Sequence, residues 1–406
     1  MQPADHAGVR RNNLSLVLRL LHAGSGQSRA SVAAETGLNK ATVSSLVAEL
    51  MDRGLVSELG TIDRRRLGRP ATLLELDGRR VASLGIELNV DFVTALATDL
   101  GGRTLFQRTR AIDAASRPAK RSLATLVSVA KQAHKEVTAR CTTIVGVTLA
   151  IPGLVDESGR TVTFAPNLHW HDIDVGDRLA EALGGNLAVT VDNDANLGAL
   201  AEYRVGEFAG TPNLVYIAGQ TGVGGGLIVG GRLVRGAAGF AGEVGHMHLL
   251  DNGSECGCGR RGCWETLVGL RQLLRDAVPD LAAELEGQSD KGPEVKVGAV
   301  IKRATAKDPV ALEGLRQNAR WLGIGLATLV NIFNPQVVVL GGFFRDIAPW
   351  VLPLAEQTMR EYAIAPDAGG CRVVCSSLGF SAAALGGAIY AAERVFDDPT
   401  FVPAGA

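Results

Sequence analysis

The stretch LAVTVDNDAN, residues 187–196, joins a short apolar run to a cluster of acids and amides. In open α/β sheets, the residues that follow the carboxyl end of a strand face the ligand crevice. Asp194 could accept a proton from a hydroxyl group that attacks a phosphoryl group. Asn193 can donate and accept hydrogen bonds at once, which suits a hydroxyl-rich ligand. On this stretch alone, a polar turn without a ligand is an equally good interpretation.

Short apolar runs and helical patterns alternate on both sides of this stretch. The predicted strands are residues 81–86, 92–97, 144–150, 187–191, 214–217, 226–229 and 337–340. The predicted helices are residues 123–137, 312–333 and 381–395. This order of strands and helices predicts an α/β architecture. Because 406 residues are too many for one hydrophobic core, we expect two or three domains.

The N-terminal segment has a different pattern, since residues 12–60 show the spacing of three short helices. Ser28 and Asn39 are suitable N-caps for the second and third helices, and Gly37 marks the turn between them. This arrangement predicts a helix-turn-helix. The outward positions of the third helix are small or polar, so they could approach base edges in a major groove. The candidate DNA contacts on this helix are Lys40, Thr42, Ser44 and Ser45.

Two short strands, residues 56–59 and 72–76, flank a basic tip and predict a wing. The arginines of the tip suit phosphate or minor-groove contacts in operator DNA, and they are Arg64, Arg65, Arg66 and Arg69. Residues 10–69 hold ten Lys and Arg against five Asp and Glu, whereas the whole chain has a formal net charge of −1. A basic module on an acidic body indicates nucleic-acid binding. The alternative is a three-helix fragment that binds another kind of partner.

The expected location is the cytoplasm. The sequence contains no apolar run of the length that a transmembrane helix needs, and its first residues lack the apolar core of a signal peptide. In a reducing compartment, we expect the six cysteines to be metal ligands or core residues, because disulfides are rare there.

One cysteine motif has the ligand count of a structural zinc site. Cys256, Cys258 and Cys263 lie close together in a glycine-rich segment, and His246 precedes them. Three cysteines and one histidine can bind Zn²⁺ tetrahedrally. The alternative is a set of buried free cysteines. The remaining cysteines, Cys141, Cys371 and Cys375, have no such context and are expected in the core.

A glycine-rich turn and a polar cluster complete the candidate residues. Gly222, Gly224 and Gly225 follow a predicted strand, and their backbone N–H groups could bind a phosphate. The alternative is a tight hairpin. Glu243, His246 and Glu265 offer two carboxylates and an imidazole, which can bind several sugar hydroxyls. His246 would then bind zinc through one ring nitrogen and lie near the sugar on its other side, so that the metal orients the imidazole.

Taken together, these segments resemble the ROK family of repressors, open reading frames and kinases. The motifs are Ile151-Pro152-Gly153-Leu-Val-Asp156, Asp192-Asn193-Asp194-Ala195-Asn196, Thr221-Gly-Val-Gly-Gly-Gly226, Ala241-Gly-Glu243-Val-Gly-His246, Cys256-x-Cys258-Gly-x-x-Gly-Cys263-Trp-Glu265 and Asn334-Pro335-Gln-Val-Val-Val-Leu340-Gly341-Gly342. Their order spans nearly the whole chain.

The resemblance implies a fold, a ligand and a metal. It implies a winged helix-turn-helix over residues 1–80 and two actin-like, hexokinase-like α/β lobes around a cleft. The lobes are expected over residues 81–194 with 381–406, and over residues 195–380. The implied sugar contacts are Asn193, Asp194, Glu243, His246 and Glu265, with Asp194 the base in kinase members. The implied zinc ligands are His246, Cys256, Cys258 and Cys263.

One departure from the family pattern favours its repressor branch. The kinases carry an Asp-x-Gly-Gly-Thr phosphate loop, whereas this chain has Glu87-Leu88-Asn89-Val90-Asp91. The paired glycines that let the backbone approach ATP phosphates are absent from this stretch. We therefore expect Asp194 to be a vestigial base, Gly222, Gly224 and Gly225 to be the remnant of a phosphate loop, and the protein not to be an enzyme.

The leading hypothesis is a homodimeric repressor of carbohydrate genes that leaves its operator when a sugar binds. The first alternative is an active ATP-dependent sugar kinase that also binds DNA. A third possibility is an activator, or a regulator that needs the sugar in order to bind DNA. The identity of the sugar and the sign of the response are not encoded in these motifs.

Overall fold

The fold is taken from a computed structural model, which describes residues 6–24, 26–61, 72–140, 143–288, 291–365 and 367–405. The predicted wing-tip contacts Arg64, Arg65, Arg66 and Arg69 lie outside the described residues, as does Cys141. In the part of the chain that is described, no helix combines the length and the apolar character needed to span a bilayer.

The N-terminal segment folds as a winged helix-turn-helix, as predicted. Its elements are α1 (His6–Ala23), β1 (Gln27–Ser28), α2 (Arg29–Thr36), α3 (Lys40–Asp52), β2 (Val56–Thr61) and β3 (Thr72–Leu76). The hydroxyl of Ser28 accepts a hydrogen bond from the backbone N–H of Ser31, and the side chain of Asn39 accepts one from Thr42. Gly37 ends α2 with a φ of 72°, a left-handed conformation that favours glycine. Strands β2 and β3 pair antiparallel, as a wing requires.

The first lobe follows, and most of its strands are short apolar runs. Its elements are β4 (Val81–Leu88), β5 (Phe92–Asp99), β6 (Thr104–Ala111), α4 (Ala119–Thr138), β7 (Thr143–Ile151), β8 (Leu154–Val155), β9 (Thr161–Ala165), β10 (Trp170–Asp174), α5 (Gly176–Ala182) and β11 (Val189–Asn193). Five strands form one sheet in the order β11-β7-β4-β5-β6. Strands β7 and β11 run parallel to β4, so their carboxyl ends lie at one edge of the sheet.

The second lobe contains a second five-stranded sheet, in the order β14-β13-β12-β15-β16. Its elements are α6 (Asp194–Val205), β12 (Leu214–Gly219), β13 (Val223–Val229), β14 (Arg232–Leu233), α7 (Glu265–Val268), α8 (Leu270–Ala277), α9 (Pro279–Gly287), α10 (Pro293–Thr305), α11 (Pro309–Phe333), β15 (Val337–Gly342), α12 (Phe344–Tyr362) and β16 (Arg372–Cys375), and they are followed by α13 (Ala382–Asp397). The expected lobe boundary after residue 194 falls at the first residue of α6. Helix α13 follows the second lobe in sequence but packs against β4 and β7 of the first.

Backbone-to-backbone contacts hold α13 in place. A Cβ atom added at Gly85 of β4 would lie 1.8 Å from the carbonyl oxygen of Ala384. A Cβ atom added at Gly386 would lie equally close, 1.8 Å, to the carbonyl oxygen of Leu197 in α6. Only glycine permits such approaches. Helix α13 therefore packs tightly between the first sheet and α6. Few side chains separate these elements, so they have little room to move relative to one another.

Candidate functional site

The sugar contacts named from the sequence converge on one cleft between the lobes. The cleft has a volume of about 300 Å³ and lies where β7, β11 and the β12–β13 hairpin end. The named residues that line it are Asn193, Asp194, Gly222, Gly224, Glu243, His246, Cys258 and Glu265. This volume falls at the lower end of the range of small-molecule sites.

The stretch at residues 193–196 forms the join between β11 and α6. The side-chain oxygen of Asn193 caps α6 by accepting hydrogen bonds from the N–H groups of Ala195 and Asn196. Its amide nitrogen donates to the carbonyl oxygen of Gly153 at 3.2 Å. Asp194 begins the helix and is 7% exposed. Burial raises the pKa of Asp194 to about 6, so this carboxylate can accept a hydrogen bond or a proton near neutral pH.

The glycine-rich turn is a tight hairpin, in which Gly219 pairs with Val223. A Cβ atom at Gly222 would lie 2.6 Å from Oε2 of Glu265, so glycine lets this carboxylate approach the turn. The N–H of Val223 donates to the same oxygen at 3.4 Å. Gly224 and Gly225 lie within β13, and a Cβ atom at Gly225 would lie 2.6 Å from the side chain of Val244. These glycines bring Glu265 and the 243–246 segment close to the cleft.

Two carboxylates flank the imidazole of His246. Its Nε2 lies 3.8 Å from Oε2 of Glu243, and its Nδ1 lies 3.6 Å from Oε1 of Glu265. Burial raises the pKa of Glu243, and the imidazole of His246 counteracts this in part. The three groups offer several acceptors and an imidazole N–H at one wall of the cleft, which suits a ligand with several hydroxyl groups.

The predicted zinc ligands form a compact cluster. One donor atom from each of His246, Cys256, Cys258 and Cys263 lies within 4.8 Å of every other. The Sγ atoms of Cys258 and Cys263 are 3.7 Å apart, and Sγ of Cys256 is 3.5 Å from Nδ1 of His246. Tetrahedral Zn²⁺ with the usual bond lengths would separate two thiolates by about 3.8 Å, and a thiolate from an imidazole nitrogen by about 3.5 Å. The cluster therefore fits such an ion.

Two glycines shape the cysteine loop. Gly259 and Gly262 have φ values of 85° and 70°, in the left-handed region that favours glycine. Because Nδ1 of His246 faces the cysteines, Nε2 remains on the side of Glu243. The ring thus lies between the metal cluster and the cleft.

The stretch that departs from the kinase pattern, residues 87–91, makes polar contacts with the second lobe. Glu87 ends up fully buried, and its Oε1 accepts a hydrogen bond from Nε2 of Gln220 at 3.1 Å. Asn89 donates to the side-chain oxygen of Gln220, which belongs to the other lobe. Burial, and secondarily the charge of Asp194, raises the pKa of Glu87 to about 8. A second link joins the lobes where Nζ of Lys296 lies 3.1 Å from Oδ2 of Asp91.

Sequence reasoning missed three of these residues. Gln220 directly precedes the glycine motif, so its position next to a ligand-binding turn was a usable signal. The family pattern identifies Asn89 only as a replacement for glycine, and nothing in the local sequence around Lys296 indicates a partner 205 residues away.

The candidate DNA contacts within the described residues lie together on α3. Lys40, Ser44 and Ser45 are exposed, and Thr42 is half-buried. Arg10 of α1 donates to the hydroxyl of Ser45 at 3.2 Å and pairs with Glu49 at 2.6 Å, so it adds a second cation beside this face.

Comparisons with known proteins agree with this architecture. The sequence matches the ROK family over residues 83–394 and the IclR helix-turn-helix domain over residues 14–60. The chain is 32% identical over 386 residues to the xylose repressor of Bacillus subtilis (strain 168), covering 95% of this chain and 96% of that protein.

Two solved structures share the fold. One is a ROK family transcriptional regulator, a homologue of the E. coli MLC protein, with a TM-score of 0.77, 26% identity and coverage of 96% of this chain and 97% of that one. The other is a ROK family glucokinase from Streptomyces griseus in complex with glucose and AMPPNP, with a TM-score of 0.65 and 31% identity. It covers 77% of this chain and 99% of that one. The chain belongs to the ROK family, in the branch of transcriptional repressors that carry an N-terminal winged helix-turn-helix.

Proposed function

We propose that this protein represses carbohydrate genes as a homodimer and leaves its operator when an uncharged sugar occupies the cleft. The observation that carries this proposal is a contrast within one cleft. The wall that would bind hydroxyl groups offers a full set of polar side chains, whereas the stretch that corresponds to the kinase phosphate loop is engaged in contacts between the lobes, Asn89 with Gln220 and Asp91 with Lys296. A fold that keeps a ligand site without its chemistry is suited to sensing the ligand.

The sugar is bound by hydrogen bonds from one set of side chains, namely Asn193, Asp194, Glu243, His246 and Glu265. All of them line the cleft. The related protein of Bacillus subtilis is named a xylose repressor, and the related glucokinase was solved with glucose, so an aldopentose or aldohexose is the expected class of ligand.

A structural Zn²⁺ completes the site through His246, Cys256, Cys258 and Cys263. Bound zinc would hold the cysteine loop in place and would not itself contact the sugar. Its role here is to hold His246 in one orientation, with Nε2 towards Glu243, and to keep the loop that leads into Glu265 ordered. The 3.7 Å and 3.5 Å separations within the cluster support this assignment.

Kinase activity is the second candidate function, and the raised pKa of Asp194 favours it, because a base with a pKa of about 6 suits proton abstraction. Phosphoryl transfer, however, depends on positioning and charge stabilisation of the phosphates. The backbone N–H groups of Asn89 and Val90 already donate within the turn, to Phe92 and to the Asn89 side chain, so these two groups are not free to bind a phosphate. We therefore propose sugar binding without ATP turnover.

DNA is bound by α3 together with the wing. One helix-turn-helix reads a half-site, and two-fold symmetric operators require two copies, so the active form is a homodimer. A repressor of chromosomal genes acts in the cytoplasm. The exposed Lys40, Ser44 and Ser45 would face the major groove, and Arg64, Arg65, Arg66 and Arg69 would contact phosphates.

The test combines three assays on the full-length protein. Thermal shift against xylose, glucose, mannose and N-acetylglucosamine should find at least one stabilising sugar. The same sugar should weaken binding to the protein's own promoter region, and a coupled assay should detect no ADP formation. A protein that phosphorylates the sugar would support the kinase instead, and one that responds to no sugar would contradict both candidates.

A further inference from the structure

One carboxylate joins the helix that starts in the cleft to the DNA-binding domain. Glu393 of α13 accepts from two arginines that belong to two other helices. Nη2 of Arg204, in the last turn of α6, lies 2.6 Å from its Oε1. Nη2 of Arg19, in α1, lies 3.1 Å from its Oε2. We call this arrangement the Arg204–Glu393–Arg19 bridge.

Helix α6 runs from the sugar site to this bridge. Asn193 caps the helix and Asp194 is its first residue, so the two residues that line the cleft fix one end of α6. Arg204 lies near the other end, about 15 Å away at the rise of an α-helix. Residues 194–202 are all buried, and Leu197 contacts α13 through its backbone at Gly386. Because packed interiors deform little, a shift at the start of α6 is expected to reach its end.

The other side of the bridge holds α1 of the helix-turn-helix. The hydroxyl of Ser15 donates to the carbonyl oxygen of Phe396 at 2.6 Å. The guanidinium of Arg19 lies 5.8 Å from the ring centre of Phe396, and it pairs with Asp397 as well as with Glu393. Helix α1 is thus docked on α13 by apolar packing and by these polar contacts, among which Arg19 is the residue that contacts Glu393, and α3 packs on α1.

We propose that Glu393 is the positioning residue that couples sugar binding to DNA binding, an inference that rests on the proposed function. A sugar that contacts Asn193 and Asp194 shifts α6 and changes the position of Arg204. The two arginines share one carboxylate, so a change at Arg204 alters the hold of Glu393 on Arg19. Helix α1, and with it α3, then turns relative to the lobes, which changes the spacing of the two recognition helices in a dimer.

The decisive variant is Arg204→Gln, which breaks the bridge on the side of the cleft and leaves the sugar-binding residues in place. Operator affinity is measured by fluorescence anisotropy with and without a saturating sugar, and sugar affinity by calorimetry. We expect sugar affinity and sugar-free operator affinity to stay within about threefold of the wild type. The ratio of operator affinities with and without sugar should fall by about fivefold or more, within the range of allosteric couplings.

Two further variants separate coupling from simple stabilisation. Asp397→Asn removes another partner of Arg19 that has no contact with Arg204, so the sugar response should remain. In the double variant Arg204→Gln with Arg19→Gln, the loss should be no larger than in either single variant, because the two pairs act in series. Such partly exposed ion pairs contribute little to stability, so the variants should fold, and their melting temperatures would verify this.

The outcomes discriminate clearly. A full sugar response in Arg204→Gln would overturn the inference, and so would an equal loss in Asp397→Asn. A wild-type protein whose operator affinity does not respond to any sugar would instead contradict the proposed function, before any variant is measured.

Discussion

The Nζ atom of Lys296 lies 3.1 Å from Oδ2 of Asp91, and both side chains are almost completely buried. The pair joins α10 of the second lobe to the turn that follows β4 in the first lobe. Burial raises the pKa of Asp91, and the ammonium of Lys296 opposes this effect. Asp91 belongs to the stretch, residues 87–91, that stands where the kinases of the family carry their phosphate loop.

Replacing Lys296 by Met should lower the free energy of unfolding by about 3–5 kcal/mol, because a buried carboxylate then loses its partner. The double variant Asp91→Asn with Lys296→Met should recover much of this loss, since no buried charge remains. Chemical denaturation measures both. Arg316→Gln, which breaks an exposed pair with Glu313, is the matched control and should change little. Equal losses in the single and double variants would contradict the unpaired-charge explanation.

The metal assignment predicts one zinc ion per chain. Cys258→Ser should lower the zinc content measured by elemental analysis and the melting temperature, because a structural metal contributes to folding stability. Sugar affinity should fall as well, since His246 is shared with the cleft. Cys375→Ser, which changes a free thiol outside the cluster, is the control. Full zinc content in Cys258→Ser would remove this residue from the ligand set.

Glu87 predicts a pH dependence of stability with a defined sign. Its pKa rises from an ordinary value near 4.5 to about 8 in the folded protein, so between these values the folded state binds more protons than the unfolded state. The contribution of Glu87 to the free energy of unfolding is therefore most favourable below pH 4.5 and is lost as the pH rises towards 8. Each unit of pKa shift corresponds to about 1.4 kcal/mol. Glu87→Gln cannot ionise, so it should gain stability relative to the wild type at pH 8 and match it near pH 4.5, as measured by denaturant titration. Parallel curves would exclude this assignment.

Asp194 should matter for sugar binding and not for turnover. Asp194→Asn is expected to weaken sugar affinity by about tenfold or more, because a hydrogen bond to a charged group is lost. Calorimetry measures this loss, and Glu181→Gln at an exposed position is the control. ADP formation should be undetectable in both wild type and variant. Sugar phosphorylation that disappears in Asp194→Asn would establish a kinase.

The DNA-binding face predicts a change in salt dependence. Lys40→Ala should weaken operator binding, and if Lys40 contacts a phosphate, the slope of log affinity against log salt should fall by about one. Replacing Arg64, Arg65, Arg66 and Arg69 with Ala should reduce the slope further. Lys120→Ala on α4 is the control, because this exposed lysine lies in the first lobe. An unchanged slope in the wing variant would argue against phosphate contacts there.

The elements that local sequence determines were predicted well. Ser28, Gly37 and Asn39 act through neighbours two to four positions away, so they delimited α2 and α3 correctly. The predicted helix 312–333 is α11, Pro309–Phe333, and the predicted closing helix 381–395 is α13, Ala382–Asp397. Helices α8, α9 and α10 were not predicted. Helix α12 was not predicted either. Helices α8, α10 and α12 pack against α11, and α9 packs against α8, contacts that the local sequence does not indicate.

The candidate site shows the same division. Motif residues identified the cleft and the metal cluster because they are close in sequence or follow strands. The contacts between the lobes were not predictable. Asn89 is hydrogen-bonded to Gln220, and Asp91 is paired with Lys296, only after both lobes have formed. Neither helical nor strand periodicity carries information on such pairs.

The packing of α13 also constrains the order in which the protein can mature. Val395 and Phe396 belong to the same apolar cluster as Leu14 and Leu46 of the helix-turn-helix, and Arg53 donates to the carbonyl oxygen of Val402 at 2.5 Å. During translation the N-terminal module emerges from the ribosome first, while the helix on which it docks is still to be synthesised. The apolar core of the DNA-binding module is therefore completed only after residues 395–402 have been synthesised. A chain that stops before α13 lacks both this part of the module's core and the helix that packs between the first sheet and α6.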